Sequence, residues 1–154
     1  MQVIEWDYLE GSNHDAVRPS ALTIGVFDGV HVGHRTLIEK VLAAPGDLER
    51  TVITFRENPK LILHPDTFHG EVLTLEQKLE SLEETGIGTC VLIDFSGNFS
   101  KLTGTVFLSA LVRLVGVRYL AIGTDFRCGY RLSTDAQGVR TIGASMGVET
   151  EIVD

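Results

Sequence analysis

Ten consecutive residues hold the side chains best suited to chemistry: Gly25-Val26-Phe27-Asp28-Gly29-Val30-His31-Val32-Gly33-His34. They follow an apolar run and open a helical pattern. Gly29 suits a tight turn with positive φ. Gly33 has no side chain, so another backbone or a phosphate can come close. His31 and His34 are three apart and share a face in a first helical turn. The free N–H groups and positive dipole end of that turn attract an anion. Two imidazoles aimed at the same place donate hydrogen bonds to phosphate oxygens and, when protonated, add Coulomb attraction. Phosphate binding is favoured over a metal site, because no third ligand stands beside the pair, and over a purely structural turn. The stretch is not a Walker A loop, since no Gly-Lys-Ser/Thr follows. Its glycine spacing does not match the dinucleotide fingerprint either.

The elements around this turn must position it. Apolar runs of strand length recur at Leu22 to Phe27, Thr51 to Phe55, Cys90 to Phe95, Val117 to Ile122 and Val148 to Val153, with a further edge strand at Val3 to Trp6. Most are continuous rather than alternating, as in strands covered on both faces. Between them, Val32 to Ala43 places Leu37, Ile38, Val41 and Leu42 on one stripe. Leu75 to Thr85 reads as a helix with a Thr74/Gln77 capping box and Gly86 at its end. A third helix opens at Thr103 or Thr105 and stops at Gly116, and a fourth spans Val139 to Met146 before Gly147. The stretch Arg56 to Val72 reads as a long loop, or a short strand with a loop. The alternation predicts an α/β fold: a Rossmann-like, open, mostly parallel sheet of about five strands with helices on both faces. Ligands of such sheets bind beyond the carboxyl ends of the strands. That places Phe27-Asp28-Gly29, Phe55 to Pro59 and Gly123 to Phe126 along one rim.

Composition narrows the partners. The 154 residues include 21 acidic and 13 basic side chains, a formal net charge of −8. That excess argues against broad binding to nucleic acid or anionic membrane, but allows a small phosphate pocket. The two cysteines lack metal-site spacing, so Cys90 is expected as a buried thiol and Cys128 as a loop thiol. His14, His64 and His69 are expected in solvated loops. No signal peptide or apolar span is present, so a cytoplasmic protein is expected. The oligomeric state is left open.

The pattern Gly25-x-Phe27-Asp28-Gly29-x-His31-x-Gly33-His34 resembles the nucleotidylyltransferase signature of the bacterial bifunctional riboflavin kinase/FAD synthetase family, in its N-terminal FMN adenylyltransferase module. Thr54-Phe55 with Asn58-Pro59, Leu73-Thr74-x-x-x-Lys78, and Phe95-Ser96 followed by Phe99 to Leu108 are similar to further family segments. So is Gly123-x-Asp125-Phe126-Arg127-x-Gly129, with Asp135 beyond it. The resemblance covers nearly the whole chain. It implies transfer of AMP from ATP to FMN, giving FAD and pyrophosphate, with Mg²⁺ required. By the same resemblance His31 and His34 hold the ATP phosphates. Gly25, Phe27, Asp28, Gly29 and Gly33 shape the nucleotide pocket. Asn58 and Pro59 lie by the flavin phosphate or metal. Gly123, Asp125 and Arg127 line the ribose or flavin side, with Asp125 near magnesium. Phe126 packs on a ring or in the core.

The departures lie on the flavin-facing side. Asn58 stands where the family has His, Arg56 and Glu57 where it has an acid and Pro, and Cys128 where it has a second aromatic. The family also carries a Ser-Ser-Thr-x-x-Arg segment after the module's last strand, and a riboflavin kinase domain. This chain ends at Asp154, so the expectation is one adenylyltransferase-like domain over 1–154 without either. Two alternatives follow: a nucleotidylyltransferase for another phosphorylated acceptor, or a homologue that binds nucleotide or flavin without turnover.

Overall fold

The apolar runs become strands because helices cover both faces of the sheet they form. The computed structural model describes residues 1–12, 15–16, 18–29, 31–95 and 98–154. His14 and Ser96 lie outside the described residues. In chain order the first half comprises β1 (Gln2–Glu5), α1 (Trp6–Gly11), β2 (Ser20–Ile24), α2 (Val32–Ala43), β3 (Glu49–Phe55), α3 (Lys60–Leu63), α4 (Leu75–Glu83) and β4 (Thr89–Ile93). The second half comprises α5 (Gly104–Ala110), β5 (Val117–Gly123), β6 (Arg127–Cys128), β7 (Thr134–Asp135), α6 (Ala136–Ser145) and β8 (Glu149–Val153).

Six strands pair in the order β1-β4-β3-β2-β5-β8, and every neighbouring pair is parallel. The expected edge strand is therefore present, against β4. Alternate residues of one strand serve opposite layers. Leu22, Ile24, Ile53 and Ile122 pack against Trp6 of α1, Phe107 and Leu108 of α5, and Val139 of α6. Ala21, Val52, Cys90 and Ala121 pack against Ile38 and Val41 of α2 and Leu82 of α4. The chain leaves β2 toward β3 and β4, then crosses back to β5 and β8. That reversal opens a crevice at the carboxyl ends of β2 and β5.

Local signals explain most boundaries. Thr74 and Gln77 form the expected capping box at α4, and Gly86 and Gly147 adopt positive φ at helix ends. The third helix continues from α5 through a wider π turn, Leu111–Val115, and stops at Gly116 with φ 68°. A Cβ there would lie 2.6 Å from the Arg18 carbonyl, so the stop needs glycine for both reasons.

Four expectations are corrected. Trp6 opens α1 rather than extending β1, because its ring is 2% exposed and belongs to the core. Arg56 to Val72 is not wholly loop: Asn58 Oδ1 accepts the Lys60 N–H at 3.0 Å and starts the one-turn α3. α6 begins at Ala136, three residues early, because Asp135 caps it through Gly138 N–H at 2.8 Å. Cys128 is no loop thiol: it is buried in β6, which pairs antiparallel with β7.

Candidate functional site

At the carboxyl ends of β2, β3 and β5 lies a cleft of ≈ 580 Å³. The candidate residues that line it come from three strand ends. Gly25, Asp28 and His34 come from the first strand-to-helix turn and the start of α2. Asn58 and Pro59 follow β3, while Asp125, Phe126 and Arg127 follow β5. The crevice thus collects residues from sequence positions about a hundred apart.

The remaining candidates stand behind or beside the cleft. Phe27 is wholly buried, with φ 54°, and its ring centroid lies 4.9 Å from that of His34. A non-glycine residue in that region costs about 1–2 kcal/mol. Full burial of the ring in the core layer of Ile38, Val41 and Leu92 holds it there. A Cβ on Gly25 would come 3.1 Å from the Phe27 ring, one on Gly33 3.2 Å from the His31 ring, and one on Gly123 2.9 Å from Asp125 Oδ1. These glycines make room for side chains rather than for strained backbone. Gly29 does need its φ of 67°, and Val72 sits over it. His31 is the exposed N-cap of α2 and uses no side-chain cap hydrogen bond. Its ring stacks on His34 with centroids 3.6 Å apart.

His34 is the more buried of the pair. Its Nδ1 is buried and has no hydrogen-bond partner among the described residues. Burial first, and then the neighbouring His31, push its pKa down to about 4, against the pull of Asp125 and Asp28. At neutral pH it is a neutral donor held ready at a helix N-terminus, not a standing cation.

An unfolded histidine titrates near 6.5. Between that value and the folded value the unfolded chain binds more protons, so stability falls as pH drops from about 6.5 to about 4. Below that window the effect is complete. Urea midpoints measured across it should fall less steeply in His34→Gln than in the wild type. Parallel curves would contradict this assignment.

Asp28 is tied into the scaffold. Its carboxylate accepts the Val72 N–H at 2.9 Å and the Leu73 N–H at 2.9 Å, pinning the 70–73 segment across the turn. Glu71 accepts the Asn58 N–H at 2.8 Å.

Sequence reasoning missed the apolar wall. Phe55, Phe95, Phe99 and Phe107 line the cleft and meet one another edge-on at 5.4–6.5 Å between centroids, with Leu102 and Leu132 beside them. These rings come from separate elements, so no spacing marks them as one surface. Cys128 also faces the cleft, and burial raises its thiol pKa to about 11, which keeps it protonated and inert. Phe126 is half-buried, lining the cleft while packing on the core.

Comparison with known proteins follows the same outline. Residues 13–154 match a family model described as FAD synthetase. A bifunctional riboflavin kinase/FMN adenylyltransferase from Escherichia coli (strain K12) is 36% identical over 111 residues, 70% of this chain and 36% of that protein. One from Bacillus subtilis (strain 168) is 30% identical over 113 residues, 71% of this chain and 36% of that protein. The chain therefore spans about a third of the length of these relatives. A solved structure described as a macrolide-efflux protein from Streptococcus pneumoniae superposes with a TM-score of 0.80 at 26% identity, over 99% of this chain and 50% of that one. Among the described residues of this chain, no helix is long and apolar enough to cross a membrane.

Proposed function

The chain belongs to the FAD synthetase family, and from that premise we propose that its cleft transfers AMP from ATP to FMN, giving FAD and pyrophosphate. One observation carries the reading. A helix N-terminus bearing two stacked histidines opens onto the same cleft as a wall of phenylalanines. The first suits the phosphates of ATP, and the second suits a flat tricyclic ring that stacks and excludes water.

In the reaction a phosphate oxygen of FMN attacks the α-phosphorus of ATP. The bond from that phosphorus to the bridging oxygen breaks, and its electron pair leaves with pyrophosphate. The protein's task is to align two anions and to stabilise charge as it builds on the leaving group. The α2 N-terminus and the His31 and His34 rings point donors at the triphosphate. His34 suits this work because, being neutral, it does not need a counter-ion in the empty cleft. Gly25, Asp28 and Gly29 shape the turn that brings the nucleotide to those donors. Asn58, Pro59 and Arg127 flank the acceptor side, and the aromatic wall holds the flavin ring.

Among the described residues no group of three or more His, Cys, Asp or Glu could hold a metal ion. Asp125 is an exposed carboxylate at the cleft. One such carboxylate fits Mg²⁺ arriving on the nucleotide, since that ion takes most of its ligands from phosphates and water. Its contribution is neutralisation of phosphate charge. The reading assigns a cytoplasmic enzyme acting on small molecules, in keeping with a net charge of −8.

Incubation with ATP, Mg²⁺ and FMN, followed by chromatography, tests the proposal. FAD should form only when both substrates are present. A folded chain that binds FMN but makes no FAD contradicts it. Binding has its own reporter. Trp6, the single tryptophan, meets the cleft residue Phe99 edge-on at 5.9 Å. FMN should quench its fluorescence with a saturable dependence, and ATP alone should not. Unchanged emission at saturating FMN would place the flavin elsewhere.

A further inference from the structure

A buried cation lies beneath the site and has no place in the account above. Lys78 of α4 is 4% exposed, a rare state for lysine, which is almost never fully buried unless paired. Its ammonium donates to the Val26 carbonyl at 3.1 Å and to the Phe55 carbonyl at 2.7 Å. Those two carbonyls sit where β2 passes into the His31/His34 turn and where β3 passes into Arg56 to Pro59. A third tie repeats the first link, since the Thr54 hydroxyl donates to the same Val26 carbonyl at 3.0 Å.

The surroundings suit a fixed positive charge. Burial lowers the lysine pKa, while Glu71 and Asp28 act to raise it. These are the two carboxylates that clamp Asn58 and the 72–73 segment. Lys78 thus ties both walls of the cleft mouth to α4, and the two carboxylates tie them to the 71–73 segment that leads into it. Backbone pairing between β2 and β3 reaches its end here, with the Gly25 N–H on the Ile53 carbonyl at 3.1 Å, so at the level of Val26 and Phe55 the tie passes to the Lys78 and Thr54 side chains.

We propose that Lys78 is a positioning residue for adenylyl transfer, holding the phosphate turn and the acceptor-side segment at the separation that in-line attack requires. This rests on the function proposed above. Alignment of reacting groups is steep in distance, so a small shift of one wall lowers turnover more than binding.

The test compares Lys78→Met, which removes the donors, with Lys78→Arg, which keeps them on a longer stem. Lys40→Met, which breaks a surface ion pair with Glu151 outside the cleft, serves as control. FMN-binding stoichiometry from calorimetry counts competent molecules, so kcat is expressed per FMN site. A merely structural lysine would not move that ratio. The proposal predicts at least a tenfold loss in K78M, a loss of at least threefold in K78R that remains milder than in K78M, and less than twofold change in K40M. Turnover per FMN site within twofold of wild type in K78M overturns it. If K78M does not fold, K78R decides: wild-type kcat per site overturns the proposal, and a threefold loss supports it. If the wild-type chain makes no FAD, the adenylyl-transfer reading fails separately. The positioning claim is then read from backbone amide resonances without ligand. Gly25, Gly29 and Asn58 should move in K78R while Gly86 and Gly147 stay. Unmoved cleft resonances overturn it.

Discussion

Replacing His34 by alanine lowers kcat/KM for FAD formation by about 10²-fold or more, the scale of losing one preorganised donor at developing charge. The fold should survive the change. Among the described residues His34 finds no hydrogen-bond partner for its buried Nδ1, and its ring rests on Phe27 and His31 by packing. Removing it therefore leaves no orphaned partner, and the melting transition should move little. The loss comes from three sources at once: a donor to the phosphates, a neutral group tuned by burial, and the platform that orients His31. His31→Ala should also lose activity, but His31 is exposed and supports no other ring behind it. Steady-state kinetics on both variants, with circular dichroism as control, checks this. A loss below fivefold in His34→Ala would remove that residue from the chemistry.

Replacing Phe99 by alanine is expected to act on stability and binding together. Its ring meets Trp6, Phe55, Phe95 and Phe107, with centroids 5.4–6.5 Å away. A fully buried Phe→Ala change costs about 3–5 kcal/mol. Phe99 is half-buried, so about 2–3 kcal/mol is expected for it. The same ring lines the cleft, so FMN affinity should fall about tenfold, while ATP affinity changes less than threefold. Urea unfolding and paired calorimetric titrations separate the two effects. Equal loss of FMN and ATP affinity would mean that Phe99 acts on the whole fold, not on the flavin wall.

The parts legible in the sequence are those written locally. The Gly25 to His34 turn, the Thr74/Gln77 cap and the helix stops at Gly86, Gly116 and Gly147 depend on neighbours within a few residues. The parallel sheet was legible because buried strands leave continuous apolar runs. What could not be read is what only folding assembles. Phe55, Phe95, Phe99 and Phe107 look like ordinary core in sequence, yet form one wall. Lys78 looks like a solvated helix residue among Glu76, Glu80 and Glu83, since nothing local shows that two strand ends converge on it. Trp6 follows a strand-like run, and only its burial under Phe99 and Phe107 turns the chain into α1. Asn58 starts α3 through a side-chain oxygen, a role that the segment's mixed composition hides. The roles of Asp125, Arg127 and Pro59 come from the family resemblance, and the fold sets all three around the cleft.

The central claim is that the α-phosphoryl group moves with its adenosine to FMN. Isotope partition reads this directly. With ATP labelled at the α-phosphorus, the label should appear in FAD. With ATP labelled at the γ-phosphorus, it should appear only in pyrophosphate, in equal molar yield with FAD. Label from the γ-position in a flavin product, or α-label confined to free AMP or ADP, would contradict adenylyl transfer by this cleft.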